Sequence, residues 1–125
     1  MASKSGFRFI VAGLLLAAFV QPGLAARKKR LAVRALPAVS GLAASHDMRW
    51  EGGRLCFLDH YHYGSSLGAS SKKGAEIAAV ESWAGFVNFE YGGEWDNFGR
   101  SASKDMRCSQ SGAGWGCELS ARPCR

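Results

Sequence analysis

Residues 104–122 read KDMRCSQSGAGWGCELSAR, and the fold class turns on them. With a tight turn at Gly112-Ala113, Cys108 falls opposite Cys117 and Arg107 opposite Glu118. Met106, Cys108, Trp115, Cys117, Leu119 and Ala121 then share one face. Asp105, Arg107, Ser109, Glu118, Ser120 and Arg122 share the other. Alternation of period two, apolar against polar, is the pattern of a hairpin with one buried face. That face needs a second layer, and the rest of the chain has to supply it.

Upstream, MRWEGGRLCF (48–57) carries a second hairpin signal, because Gly52-Gly53 suits a two-residue turn with positive φ. In that register Glu51 faces Arg54 as an ion pair, Trp50 faces Leu55 and Met48 faces Phe57. Residues 64–74, GSSLGASSKKG, read as loop, and a helix sets in at about Lys72 and runs to Tyr91. Ile77, Val80, Ala84, Val87 and Tyr91 recur at spacings of three and four, so they share one helical face, which Trp83 widens. Phe86 and Phe89 widen that stripe further or touch a second layer. Gly92 is the natural stop. A shorter helix follows, with Trp95, Phe98 and Ala102 on its inner side. The expected architecture is α+β: hairpin, helix, short helix, hairpin, in a single small domain over residues 46–125, with the helix packed on the sheet. Trp83, Trp95 and Trp115 all fall on inward faces, which assigns them to the core.

Outside that domain, Lys4 and Arg8 precede an apolar run from Phe9 to Val20, followed by Pro22 and the small residues of Gly23-Leu24-Ala25. This is the layout of a signal peptide over residues 1–25, cut after Ala25. The apolar run is well short of the ~20 residues that span a bilayer. Arg27, Lys28, Lys29 and Arg30 follow directly, and positive charge there also suits an uncleaved anchor. Residues 26–45 read as a flexible, basic and Ala-rich leader, able to touch anionic lipid weakly through those four cations. From Ala35 onward nine basic face ten acidic residues, so the chain's +6 belongs to its N-terminus. A nucleic-acid-binding face, which needs clustered cations on the folded surface, is not expected. No transmembrane span is expected after processing.

Cys56, Cys108, Cys117 and Cys124 form an even set in a small exported domain, the signature of two disulfides. The hairpin register favours 108–117, leaving 56–124; the rival pairing is 56–108 with 117–124. A redox role would need a close cysteine pair at a helix N-terminus, and the sequence has none.

The spacing W83-x7-Y91-G92, Trp95, Phe98, C108-x8-C117 and A121-R122-P123-C124 resembles small exported proteins of alphaproteobacteria, especially rhizobia. DHYHYGSS (59–66) resembles a His-x-His-x-Gly-Ser stretch in a subset of them. The resemblance covers residues 56–125, implies an exported single domain of bacterial envelope type, and supplies no activity.

Three stretches could carry chemistry. His60 and His62, on one face of an expected strand over 54–63, would stand roughly 6.6 Å apart at the backbone, close enough to share a metal ion. His46 or Asp59 would complete the set, with Zn²⁺, Cu²⁺ or Ni²⁺ as suitable ions; the same pair also reads as a solvated strand face. Ser70, Ser71, Lys72 and Lys73 at the helix start could hold an anion, though solvated lysines explain them equally. Glu90, Glu94 and Asp96 cluster around the Gly92-Gly93 turn, suiting hard-cation or acid–base work or simple solubility. No group has an evident activating partner, so an enzyme is not expected. The reading is a non-catalytic, disulfide-stabilised binding or interaction protein, periplasmic or secreted, whose partner is an unknown protein or envelope component and which requires no cofactor. Its alternatives are a periplasmic transition-metal-binding protein using the DHYH segment, and an envelope hydrolase or hydrolase inhibitor.

Overall fold

The computed structural model describes residues 34–125, so the signal-peptide reading of residues 1–25 and the basic cluster Arg27–Arg30 lie outside the described residues. Strand β1 (Met48–Glu51) turns through Gly52 and Gly53, at φ 55° and 82°, into β2 (Arg54–Phe57). Positive φ at both central residues costs glycine nothing and matches the twist of the flanking strands. The register is the expected one, Glu51 against Arg54 and Met48 against Phe57. The expected ion pair across it does not form. Glu51 instead meets Arg49 and Arg122. Arg54 reaches away, donating from Nη1 to the Arg100 carbonyl at 2.7 Å.

The chain then leaves the sheet at Leu58 and enters β3 (His62–Ala69), where a loop was expected from the run of glycine and serine. A continuous strand over 54–63 is therefore corrected to two strands with a break at 58–61. Helix α1 (Lys72–Tyr91) has the expected bounds, starting behind a Ser71 cap that accepts from the Gly74 N–H. Beyond Gly92, a three-residue 3-10 turn at Phe98–Arg100 stands where a short helix was expected. Ala102 opens β4 (Ala102–Ser111), which turns into β5 (Gly114–Arg122). Cys108 faces Cys117 and Arg107 faces Glu118, as the alternation predicts. All strand pairs are antiparallel, in a sheet of order β3-β5-β4 and the separate β1-β2 hairpin.

Residues 123–125 join the two sheets. Phe57 N–H donates to the Pro123 carbonyl at 3.1 Å, and Leu55 and Arg125 exchange bonds at 3.0 and 2.9 Å. The Cys56–Cys124 disulfide sits on this seam, fully buried, and Cys108–Cys117 crosslinks the β4-β5 hairpin. Two disulfides in so small a domain indicate an oxidising compartment.

The face of α1 that enters the core is Ala75, Ala79, Trp83 and Val87. Of the predicted stripe, Trp83 and Val87 are buried and Val80, Ala84 and Tyr91 pack against the core, whereas Ile77 is 48% exposed. Gly64 sets how closely the helix lies. A Cβ there would stand 2.7 Å from the Trp83 Cβ and collide with the Ala79 carbonyl, so β3 and α1 touch backbone to backbone. The approach brings the Ala79 carbonyl and the Trp83 backbone against Gly64. Phe86 and Phe89, expected to widen the stripe or to touch a second layer, are exposed. Trp83 and Trp95 are in the core, along with Leu55, Phe57 and Leu119, while Trp115 packs at its margin. The core also reaches back before His46, because Ala43, in the 3-10 turn Gly41–Ser45, is buried and Val39 packs against it.

Arg122, placed on the solvent face by alternation, is buried. Its Nη2 meets Glu51 at 2.8 Å, its Nε donates to Ser103 Oγ at 3.1 Å, and its Nη1 donates to the Phe57 and Leu58 carbonyls. The seam with β2 carries that end of β5 into the interior, and only a fully partnered guanidinium tolerates it.

Candidate metal centre

Three segments distant in sequence meet at one point. His46 follows the 3-10 turn and leads into β1; His60 lies in the break after β2; His62 opens β3. Glu90 and Tyr91 come from the last turn of α1. The break after β2 is held from behind by Arg122, which takes the carbonyls of Phe57 and Leu58. Phe57 supplies the floor, stacked on Trp95 at 4.5 Å between centroids and meeting the Tyr91 ring edge-on at 4.9 Å. The His46 and His60 rings lie 4.1 Å apart.

The polar atoms converge. Tyr91 Oη lies 3.1 Å from His46 Nε2, 2.9 Å from His60 Nε2 and 3.2 Å from His62 Nε2. His60 Nε2 and His62 Nε2 are 3.1 Å apart, and Glu90 Oε2 stands 3.2 Å from His62 Nε2. His60, His62 and Glu90 each offer a ligand atom within 4.8 Å of the others.

The set holds more close contacts than hydrogen bonds. Each imidazole nitrogen carries either one proton or one lone pair, and so makes one directed bond. Three Nε2 atoms thus satisfy at most three of the five contacts they make. A cation at the convergence would use every lone pair at once.

The protonation states suit that use. Burial, aided by the imidazoles of His46 and His62, pushes the His60 pKa below the ordinary histidine value, against the pull of Glu90. Burial also lowers His62, with Glu90 opposing and His46 assisting. Both rings are therefore neutral at neutral pH, the form that ligates metal. Burial and then the neighbouring Glu90 carboxylate hold the Tyr91 phenol protonated well above its usual range. A cleft of ≈ 270 Å³ lined by Ser45, His46, Asp47, Asp59 and His60 opens beside the imidazoles, and its two carboxylates favour entry of cations.

Of the four ligands expected from the sequence, the structure gathers His46, His60 and His62 and leaves exposed Asp59 at the cleft. Glu90 and Tyr91 were missed as partners. Glu90 had been grouped with Glu94 and Asp96, but Glu94 pairs with Arg125 and Asp96 accepts from Asn88, each at 2.7 Å. Tyr91 had been counted with the apolar stripe. At the other helix end, the Ser71 hydroxyl is used as the cap and Lys73 lies 3.8 Å from Glu76, while Ser70 and Lys72 are exposed.

Among the described residues no helix is long and apolar enough to cross a membrane. No family model, curated protein or solved structure matches the chain.

Proposed function

We propose that this chain is an exported protein of the bacterial envelope or extracellular space that binds a divalent transition-metal ion through His46, His60, His62 and Glu90. The observation that carries the reading is the clustering of His60, His62 and Glu90, whose ligand atoms lie within 4.8 Å of one another, with His46 Nε2 brought to the same Tyr91 hydroxyl that His60 and His62 meet. Three imidazoles and a carboxylate are a donor set that zinc, nickel and copper all accept. The two disulfides support an oxidising compartment, in keeping with the signal-peptide reading of the N-terminus.

The test is native mass spectrometry of the mature protein, exported into a bacterial periplasm and purified without chelator or affinity metal. One ion per chain is expected on adding Zn²⁺ or Cu²⁺, lost in a His60→Ala, His62→Ala variant that keeps both disulfides. A wild-type protein that stays metal-free in excess zinc, copper and nickel overturns the reading.

A further inference from the structure

We infer that the ion is copper in its divalent state and that the Tyr91 phenolic oxygen is a direct ligand to it, beside the three imidazoles and Glu90. This rests on the metal-binding reading above and adds an assigned ligand and an assigned ion.

The first argument is position. Tyr91 Oη touches all three imidazole nitrogens, at 2.9–3.2 Å. Donors bound to one ion at about 2.0–2.1 Å lie about 2.9 Å apart in octahedral and about 3.3 Å apart in tetrahedral arrangements. The phenol oxygen thus already stands at a ligand's distance from its neighbours. Its ring is fixed by the edge contact with Phe57, so the oxygen is not free to swing out.

The second argument is charge. The site is partly closed to water, with the His62 side chain only 10% exposed. A dication there is balanced by two anions, and Glu90 supplies one. As the metal–oxygen bond forms, the phenolic O–H bond breaks, its proton passes to bulk water, and Tyr91 supplies the other. Copper remains divalent throughout, and no electron moves.

The third argument is donor softness. All four cysteines are consumed in disulfides, so no thiolate is present to favour cuprous ion. Imidazole nitrogens with two oxygen anions instead match cupric ion, which also heads the affinity order of divalent first-row metals.

The experiment is a Cu²⁺ titration of the metal-free mature chain, followed by visible absorption and by resonance Raman of the wild type. A phenolate-to-copper charge-transfer band should saturate at one equivalent, with tyrosinate modes enhanced on exciting into it. In Tyr91→Phe the band should vanish, while copper still binds on the order of tenfold more weakly. Copper bound at one equivalent with neither band nor tyrosinate modes overturns the Tyr91 assignment and leaves the metal reading standing. So does a band unchanged in Tyr91→Phe. Zinc retained in equimolar competition with copper overturns the choice of ion. A wild-type chain that retains no copper, zinc or nickel overturns this inference together with the reading beneath it. The Raman signature is read on wild type, so the ligand assignment stays testable even if the variant folds poorly.

Discussion

A single guanidinium bears on both stability and site. Arg122 satisfies Glu51, Ser103 and two backbone carbonyls just upstream of His60. Replacing it with methionine keeps most of the volume but leaves those carbonyls without this donor and Glu51 with Arg49 alone. We expect a loss of about 2–4 kcal/mol in denaturant unfolding, and weaker metal uptake because the segment bearing His60 is no longer held. Glu51 gives a pH test of the same contact. Burial raises its pKa, but the hydrogen bonds and charges of Arg49 and Arg122 outweigh this and leave it lowered. A carboxylate lowered in the folded state stabilises above its unfolded value, and that contribution is lost as pH falls through the folded one. Wild type should therefore lose more stability than Glu51→Gln between neutral pH and about pH 3, in unfolding curves at both ends.

At the scale of elements, the contact between β3 and α1 can be tested from both sides. Gly64→Val forces β3 off the helix, and we expect a loss of about 3 kcal/mol or more, since overpacking alone costs about 1–3. Ile77→Gln, on the outer face, should stay within about 0.5 kcal/mol by thermal unfolding. These two positions also mark the limit of what could be read from sequence. Both hairpin registers were legible, because their turns and alternating residues are close neighbours in the chain. Strand β3 was not, because Gly64, Ser65, Ser66 and Gly68 have the composition of a loop. Gly64 to Ser66 are extended where β5 pairs with them, Ser66 against Cys117 for example, while Gly68 sits in an irregularity at φ 75°. The helix face was legible at Trp83 and Val87 and missed at its N-terminal end, where hydrophobicity favours Ile77 but Ala75 and Ala79 are the buried residues. Within the site, His-x-His is a local pattern and was visible, and His46 followed from the hairpin register. Glu90 and Tyr91 lie far along the chain from their partners, and nothing local distinguishes them from a solvent-facing acid and a core aromatic.

For the whole molecule, the two disulfides should contribute unequally. Cys108–Cys117 closes a short hairpin, worth about 2–3 kcal/mol by loop entropy, whereas Cys56–Cys124 spans 68 residues and is worth about 4 kcal/mol. Replacing Cys56 and Cys124 together by alanine should lower the unfolding midpoint further than replacing Cys108 and Cys117, as calorimetry of the two double variants would show. Metal at the proposed site should act in the same direction as that long crosslink, since the candidate ligands come from three separate segments. At a free concentration a hundredfold above Kd, an ion that binds only the folded chain adds about 2.7 kcal/mol.

The seam between β2 and residues 123–125 also puts the molecule's assembly in order of time. Strand β2 hydrogen-bonds to the last residues of the sequence, and Cys56 waits for Cys124. A chain emerging N-terminus first presents His46, His60 and His62 long before the segment that clamps them in place has arrived. Until Arg122 and Cys124 dock, the break after β2 has no carbonyl clamp and the imidazoles have no fixed geometry. At the proposed site, a chain whose residues 122–124 have not yet docked should compete poorly for metal, so loading is expected to follow closure of the Cys56–Cys124 seam.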